Sequence, residues 1–500
     1  MESSFIAEIN GTAHQIKMEN KSIVIKSQQL NGKYTGKLHG SQIVGFWLQK
    51  GYLNYPGFVS PLNLISNGDG VWKATLIPFQ EKLTISIQFN ESDDRIIPII
   101  RNREMNLGIF LNIAYVQIED NIVRFYSKDD NEKFQGSLNG SHLQLKFELW
   151  GNAYELTLES KEPLDSIGYY PKTIQKSEEK IQFTNLHKLI LNETYPNVQG
   201  VFISQNGKKM FEEYYYGYNQ NEVHDTRSAG KSLASILIGI CIDKGYINSE
   251  DDFILDYFPN YVPNKNWSDL KKSISIKHLM TMASGLDCDD NNDESLGTED
   301  RMQTQQEELD WYKFTLDLPM VGKPGEASAY ATAGVNLLGG IIRNSSNMTI
   351  YELADKYLFR PLGITEYFFN IQPNEDTYLG GGIHLKLQDQ AKIGELMLNK
   401  GNWNGVQVIS RQWVEKTFEK YNKVNGNWYG YNWWHYSCIV KNKNFESYNA
   451  GGNGGQYIII TPPLKLVCVL SGGNYNRWLI WSKYIHFLED HIISTFLVED

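Results

Sequence analysis

Apolar and polar residues alternate along the first third of the chain, and the period then changes. Ser22-Ile23-Val24-Ile25-Lys26, Leu83-Thr84-Ile85-Ser86-Ile87 and Leu143-Gln144-Leu145-Lys146-Phe147-Glu148-Leu149 place apolar side chains at every second position. That is the period of a strand with one buried face. Asn31-Gly32, Asn67-Gly68, Asp69-Gly70 and Asn139-Gly140 punctuate these runs with residues that accept the positive φ of tight hairpin turns. No amphipathic helix interrupts them, so residues 1–170 read as an all-β barrel or sandwich. A polar stretch follows from Pro171 to Lys180, with Lys172, Lys176, Glu178, Glu179 and Lys180. It marks a linker at 171–184.

Residues 185–500 alternate differently. Val198 to Tyr216 reads as two strands around Asn206-Gly207. From Ser228 the period becomes helical, with Leu233, Ile236, Leu237, Ile240 and Cys241 on one face and Gly245 as the stop. Helical runs continue at Ile276–Met282, Tyr351–Phe359, Gln388–Leu398 and Arg411–Tyr421. Strands return at Tyr429–Tyr436, Gln456–Thr461 and Leu464–Leu470, and a last amphipathic helix runs from Trp478 to Leu497. Strands at both ends with helices between them predict an α+β domain, whose antiparallel sheet is closed by two distant segments around an inserted helical region.

Composition removes several classes of function. Among 500 residues, 41% are hydrophobic and 21% charged, the balance of a folded globular protein. The net charge of −11, with Lys271-Lys272 the densest basic spot near the centre, counts against nucleic-acid binding. Cys241, Cys288, Cys438 and Cys468 are far apart and read as unpaired thiols rather than a zinc site or disulfide framework. The longest apolar run, Leu233 to Ile242, is short of the ~20 residues that cross a bilayer. Met1 to Thr12 carries no basic segment followed by an apolar one. The expectation is a cytoplasmic protein, or a periplasmic or secreted one if a leader has been removed. No P-loop, HExxH, GxSxG, helix-opening GxGxxG or metal-ligand spacing occurs, so neither cofactor nor metal is expected.

Three segments could carry chemistry. The first is Ser228-Ala229-Gly230-Lys231. Serine and lysine at i and i+3 share a helix face, and a serine hydroxyl becomes a nucleophile when a neighbour accepts its proton. A lysine does so when neutral, which requires burial or nearby positive charge to lower its pKa. The first helical turn adds free N–H groups for an oxyanion. SxxK also occurs at Ser177 and Ser268, in polar surroundings; Ser228 differs by opening the most apolar helix. The plain alternative is an N-cap serine with an exposed lysine. The second segment is Tyr330-Ala331-Thr332, between the turn Lys323-Pro324-Gly325-Glu326 and the helical run Val335–Gly339. Its phenol could relay a proton beside Lys231 or be an ordinary half-buried tyrosine. The third is Ala450-Gly451-Gly452-Asn453-Gly454-Gly455-Gln456. It precedes a strand, which rules out a helix-dipole phosphate cradle. It suits either a hairpin turn or a bare strand edge that admits a substrate and completes an oxyanion hole. His14, His39 and His142 are scattered and read as core or solvated side chains.

In this order the three segments resemble the SxxK, YxN and small-residue strand of the serine-reactive superfamily of class C β-lactamases and penicillin-binding proteins. The likeness extends to its esterase and 6-aminohexanoate-dimer hydrolase branch. Flanking stretches add to it: Ile238–Gly245, His278–Leu286, Asn336–Gly340 and Arg360-Pro361-Leu362-Gly363-Ile364. It covers 185–500 and implies a β-lactamase/transpeptidase-like domain, an antiparallel sheet flanked by helices plus a helical subdomain. By this resemblance Ser228 is the acylated nucleophile, Lys231 its general base and Tyr330 the second acid/base group. The oxyanion hole takes the N–H of Ser228 and that of Asn453, with Gly452 as the one-residue alternative. Thr332, Gly451 and Gly452 contact substrate. Thr332 replaces the Asn of YxN, and Ala450 stands where many relatives carry Lys, His or Trp. Both departures turn the expectation from β-lactams and D-Ala-D-Ala peptides toward a small-molecule ester or amide. The competing readings are a true β-lactamase or D-aminopeptidase/carboxypeptidase, and a non-catalytic penicillin-binding-like module. The N-terminal β-region falls outside the likeness; a lipocalin-like barrel that caps the cleft or binds substrate is the expectation there. Nothing in the pattern sets the oligomeric state.

Overall fold

Val198–Gln205 and Leu466–Gly472 are buried on both faces along nearly their whole length. They pair antiparallel across most of the chain, with Val201 opposite Leu470 and Ile203 opposite Cys468. The computed structural model describes residues 183–497 except 193 and 264. It also describes residues 6–160, outside 10–11, 16, 20–21, 41, 52–56, 67–71, 80–84, 93–94, 103–112, 128 and 150–151. The central sheet has eight strands, in the order Lys208–Tyr214, Val198–Gln205, Leu466–Gly472, Gln456–Thr461, Lys443–Gly452, Trp434–Val440, Asn427–Tyr429, Asn422–Val424. Alternation divides its side chains between two cores. Phe202, Ile458, Ile460, Val467 and Val469 face the helices Lys231–Asp243 and Leu387–Leu398. Val201, Ile203, Ile459, Cys468 and Leu470 face the helix Thr184–Leu191 and the C-terminal helical segment.

The helix Lys231–Asp243 is buried on all sides through Cys241, as its near-continuous apolar sequence requires. It ends at Gly245, whose φ of 73° is the left-handed stop. Ser228 does not lie in its α-helical part: Arg227–Gly230 form a tighter 3₁₀ turn ahead of it. The expected single helix from Trp478 to Leu497 is instead four short pieces: Trp478–Trp481, Tyr484–Phe487, a wide turn Leu488–Ile493, and Ser494–Phe496. Its start is anchored sideways, since Asn474 Nδ2 donates to the Tyr484 hydroxyl at 2.6 Å and that hydroxyl donates to the Pro196 carbonyl.

The N-terminal region is β-rich, as the alternation predicts, but its strands form two open meanders. A lipocalin-like closure is not among the strand pairings of the described residues. One meander, Ile85–Ser92 through Asn152–Glu159, has seven strands and its own core of Val116, Val123, Phe125, Phe134, Leu143 and Leu145. The other runs through Ser22–Ser27, Gly32–His39, Gln42–Lys50 and Gly57–Pro61, and that last strand pairs with Phe368–Ile371, Val59 opposite Phe369. The sheet then continues through Ile383–Leu385 to His224–Asp225, three residues before Ser228. The boundary drawn at 171–184, which lies outside the described residues up to 182, therefore does not separate this meander from the sheet of the later segment. Phe46 packs on Tyr351 with ring centroids 4.7 Å apart, Gln49 exchanges both amide hydrogen bonds with the Phe79 backbone, and Lys37 pairs with Glu352 at 2.8 Å.

A chain beginning at Phe183 would lose the buried Phe46, Leu48, Phe58 and Val59. At about 1.5–3 kcal/mol for each such side chain, that is comparable with the whole reserve of a marginally stable protein, about 5–15 kcal/mol. The truncated chain is expected to melt well below the full chain or to aggregate. Equal melting temperatures by differential scanning calorimetry would show the meander to be dispensable.

Candidate active site

The strand His224–Asp225 leads into the turn that carries Ser228. The buried carboxylate of Asp225 accepts a hydrogen bond from the Arg227 N–H at 2.9 Å and pairs with its guanidinium at 3.1 Å. These contacts hold Arg227 at φ 50°, a left-handed conformation rare for an L-residue. Thr226 N donates to Ile383 O at 2.9 Å and Ala229 N to Thr226 O at 3.1 Å. The result is a sharp strand-to-helix turn that leaves Ser228 half-buried.

Lys231 is 1% exposed. Its ammonium donates to Ser228 Oγ at 2.9 Å and to the Gly380 carbonyl at 2.6 Å, and lies 5.1 Å from the centroid of the Tyr330 ring. Burial pushes its pKa down, but Tyr330, Glu299 and Asp290 together outweigh burial, and the net direction is upward. The depressed, neutral lysine expected from the sequence is thus corrected. The upward push comes from half-buried groups that reach Lys231 from loops far along the chain.

Tyr330 is half-buried and stacks on Trp434, centroids 5.8 Å apart and planes 21° apart. Its carbonyl accepts from the Asp290 N–H at 2.8 Å. Thr332 has no exposed surface. Its N–H donates to the Asp290 carboxylate at 2.8 Å and its hydroxyl donates to the same oxygen, so the substrate contact assigned to Thr332 has no free hydroxyl to make it. Asp290 Oδ1 accepts from Glu299 N–H at 2.7 Å, and the Tyr378 hydroxyl donates to Glu299. Burial, then Glu299, push the Asp290 carboxyl up to about 6 against the opposing pull of Lys231 and Thr332.

The third segment comes up against the nucleophile turn. Gly452 ends the strand Lys443–Gly452, and a Cβ there would lie 2.4 Å from Thr226 O and 3.0 Å from Ala229 N. Gly451, next along, is closed in by Tyr457 and Asn449: a Cβ there would lie 3.3 Å from the Tyr457 ring and 3.4 Å from Asn449 Oδ1. Asn453 exchanges hydrogen bonds with Asn476, side chain to side chain at 2.7 Å and backbone N–H to side chain at 2.8 Å. Gly452→Ala is expected to displace the turn bearing Ser228 and lower kcat/KM at least about tenfold, since backbone cannot yield as a side-chain tip does. Wild-type kinetics in that variant would contradict this packing.

Two elements of the site escaped the sequence reading. Gly380-Gly381-Gly382 supplies the carbonyl that holds Lys231, and a Cβ at 381 would lie 3.1 Å from Arg227 O. The glycine triplet itself was the available signal. Asp290 and Glu299 sit in an acid-rich stretch that reads as a solvated loop and gives no local sign of their role. All four cysteines are free and buried. Among the described residues there is no group of three or more His, Cys, Asp and Glu that could hold a metal ion, and no helix long and apolar enough to cross a membrane.

Residues 195–472, more than half the chain, match the family described as Beta-lactamase. The chain belongs to the Beta-lactamase family. Among curated proteins, this family member is 23% identical over 227 residues to the 6-aminohexanoate-dimer hydrolase of Paenarthrobacter ureafaciens, covering 43% of this chain. It spans only 55% of that relative's length. A Bacillus anthracis structure assigned as a 6-aminohexanoate-dimer hydrolase superposes with a TM-score of 0.50 at 18% identity, over 61% of this chain and 81% of the other. EstCE1, a hydrolase with promiscuous acyltransferase activity, superposes with a TM-score of 0.51 at 12% identity, over 63% and 98%. At such identities the structures establish the shared fold. That fold is the β-lactamase/transpeptidase-like one, in keeping with the family match.

Proposed function

We propose that this Beta-lactamase-family protein cleaves small esters or amides through an acyl-enzyme on Ser228. The observation that carries the reading is the Lys231 ammonium, bonded to Ser228 Oγ at 2.9 Å while facing the Tyr330 ring. Lys231 and Tyr330 act as one acid/base pair. The pair reacts in the form that lacks one proton, shared between amine and phenol. Ser228 Oγ attacks the carbonyl carbon and its proton passes to the pair. The pair then returns that proton to the departing alcohol or amine as the C–O or C–N bond breaks. Water repeats the sequence on the acyl-enzyme, releasing the acid and free Ser228. The tetrahedral oxyanion is met by the Ser228 N–H and by that of Asn453 or Gly452, and Gly452 lets the strand end approach the turn that carries Ser228.

The choice of ester or amide over β-lactam rests on what surrounds the trio. Thr332 is bonded to Asp290, Ala450 brings no cation, and Asp290 and Glu299 are themselves anionic groups beside Lys231. A substrate carboxylate has no partner of the kind that holds it elsewhere in the superfamily. Treatment with a fluorophosphonate should add one phosphonyl mass to the peptide containing Ser228. p-Nitrophenyl butyrate should turn over faster than nitrocefin. Absence of labelling in folded protein would leave the non-catalytic module, and faster nitrocefin hydrolysis the β-lactamase.

A further inference from the structure

We infer that Asp290 is a positioning residue of this site, clamping the Tyr330–Thr332 segment through backbone and carboxylate and presenting its negative charge to Lys231. The inference rests on the Ser228–Lys231–Tyr330 reading. One residue brackets the tyrosine from both sides. Asp290 N–H donates to the Tyr330 carbonyl at 2.8 Å, while its carboxylate takes the Thr332 N–H at 2.8 Å and the Thr332 hydroxyl. Between them, Ala331 N–H points at Met282 Sδ, 3.3 Å away. The far carboxylate oxygen is held by the Glu299 N–H. Glu299 in turn accepts from the hydroxyl of Tyr378, two residues before the carbonyl that binds Lys231. The clamp therefore ties together the loops that present the phenol, the carboxylates and the Gly380 carbonyl. A shift of Asp290 moves Tyr330 against a lysine that is itself pinned.

The charges around Lys231 are few. From the Tyr330 loop it meets the phenol, and from the 286–300 loop Asp290 and Glu299. From the glycine triplet it meets only a carbonyl, and from its own turn the Ser228 hydroxyl. Arg227, on the turn before Lys231, pairs with Asp225 and lies over the Tyr475 ring. The strand end contributes Ala450, Gly451 and Gly452, none of them ionisable. Asp290 and Glu299 therefore set the field at Lys231. Their negative charge favours its ammonium form, so removing one lets the lysine lose its proton at lower pH.

The test uses the full chain with p-nitrophenyl butyrate across pH. Asp290→Asn should lower kcat about 10- to 100-fold with KM within about twofold, and move the rise of kcat with pH downward by about one unit. A residue with only a structural role would lower the amount of active protein without moving that profile. Glu299→Gln keeps the backbone donor to Asp290 and removes only charge. It should shift the profile the same way by a smaller amount, and it carries the test where Asp290→Asn does not fold. Profiles in both variants superimposable on wild type, with Ser228→Ala inactive, would overturn the inference and leave the nucleophile standing. Turnover retained in Ser228→Ala would instead remove the reading beneath it.

Discussion

Ser228→Ala should lose turnover of p-nitrophenyl butyrate by about four orders of magnitude or more, as loss of a nucleophile does in other acyl-transfer enzymes, while melting close to wild type. The substitution removes a single oxygen from a half-buried position. The turn around it is held by other groups, namely the Asp225 carboxylate on Arg227 and the backbone bonds of Thr226 and Ala229. The two serines that follow on the helix are already engaged. Ser232 is buried and donates to Asn432 O, and Ser235 is buried and donates to Ser232 O. Fluorophosphonate labelling should vanish with the activity. A variant that still turns over ester at a tenth of the wild-type rate would mean that the acyl group is carried elsewhere or not at all.

Lys231→Met should cost about three orders of magnitude in kcat at neutral pH, because methionine fills the same buried channel without a donor for Ser228 or a partner for Tyr330. It should also change how stability depends on pH. Asp290 already has a folded-state value of about 6, above the ordinary 3.8, held up by burial and then Glu299 and pulled down by Lys231. A carboxyl raised in the folded state binds its proton more tightly there than in the unfolded chain, so stability is lost as pH climbs from the unfolded value through the folded one. Without Lys231 the folded value rises further and the window widens upward. The variant should melt nearest to wild type at about pH 5 and progressively lower toward pH 8, measured by calorimetry. A constant difference between variant and wild type across that range would mean that the lysine and the carboxylates do not share a field.

Local patterns were legible wherever the chemistry is local. Ser228 and Lys231 meet because i and i+3 are neighbours on any helical turn, 3₁₀ or α. Gly245 ends its helix because only a left-handed residue does so cheaply. Asn206-Gly207 places the turn between the two strands of Val198 to Tyr216, and the apolar run at Leu464–Leu470 reads as a strand. The order of the three segments was enough to recognise the superfamily. The C-terminal helix was misread because amphipathic spacing does not reveal the sideways anchor at Tyr484. The N-terminal meander was set apart because nothing in Gly57–Pro61 names Phe368–Ile371 as its partner strand.

The sequence alone determined that Ser228 and Lys231 share a turn, and the alternation that builds the sheet, since each depends on residues a few positions apart. Only the tertiary structure decided that Thr332 bonds to Asp290, that the Gly380 carbonyl holds the lysine, and that acidic groups from another loop push the lysine's pKa up. Those outcomes depend on charges and carbonyls brought from distant loops into a space with little water. There the Coulomb sum is long-ranged, and no window of sequence contains it.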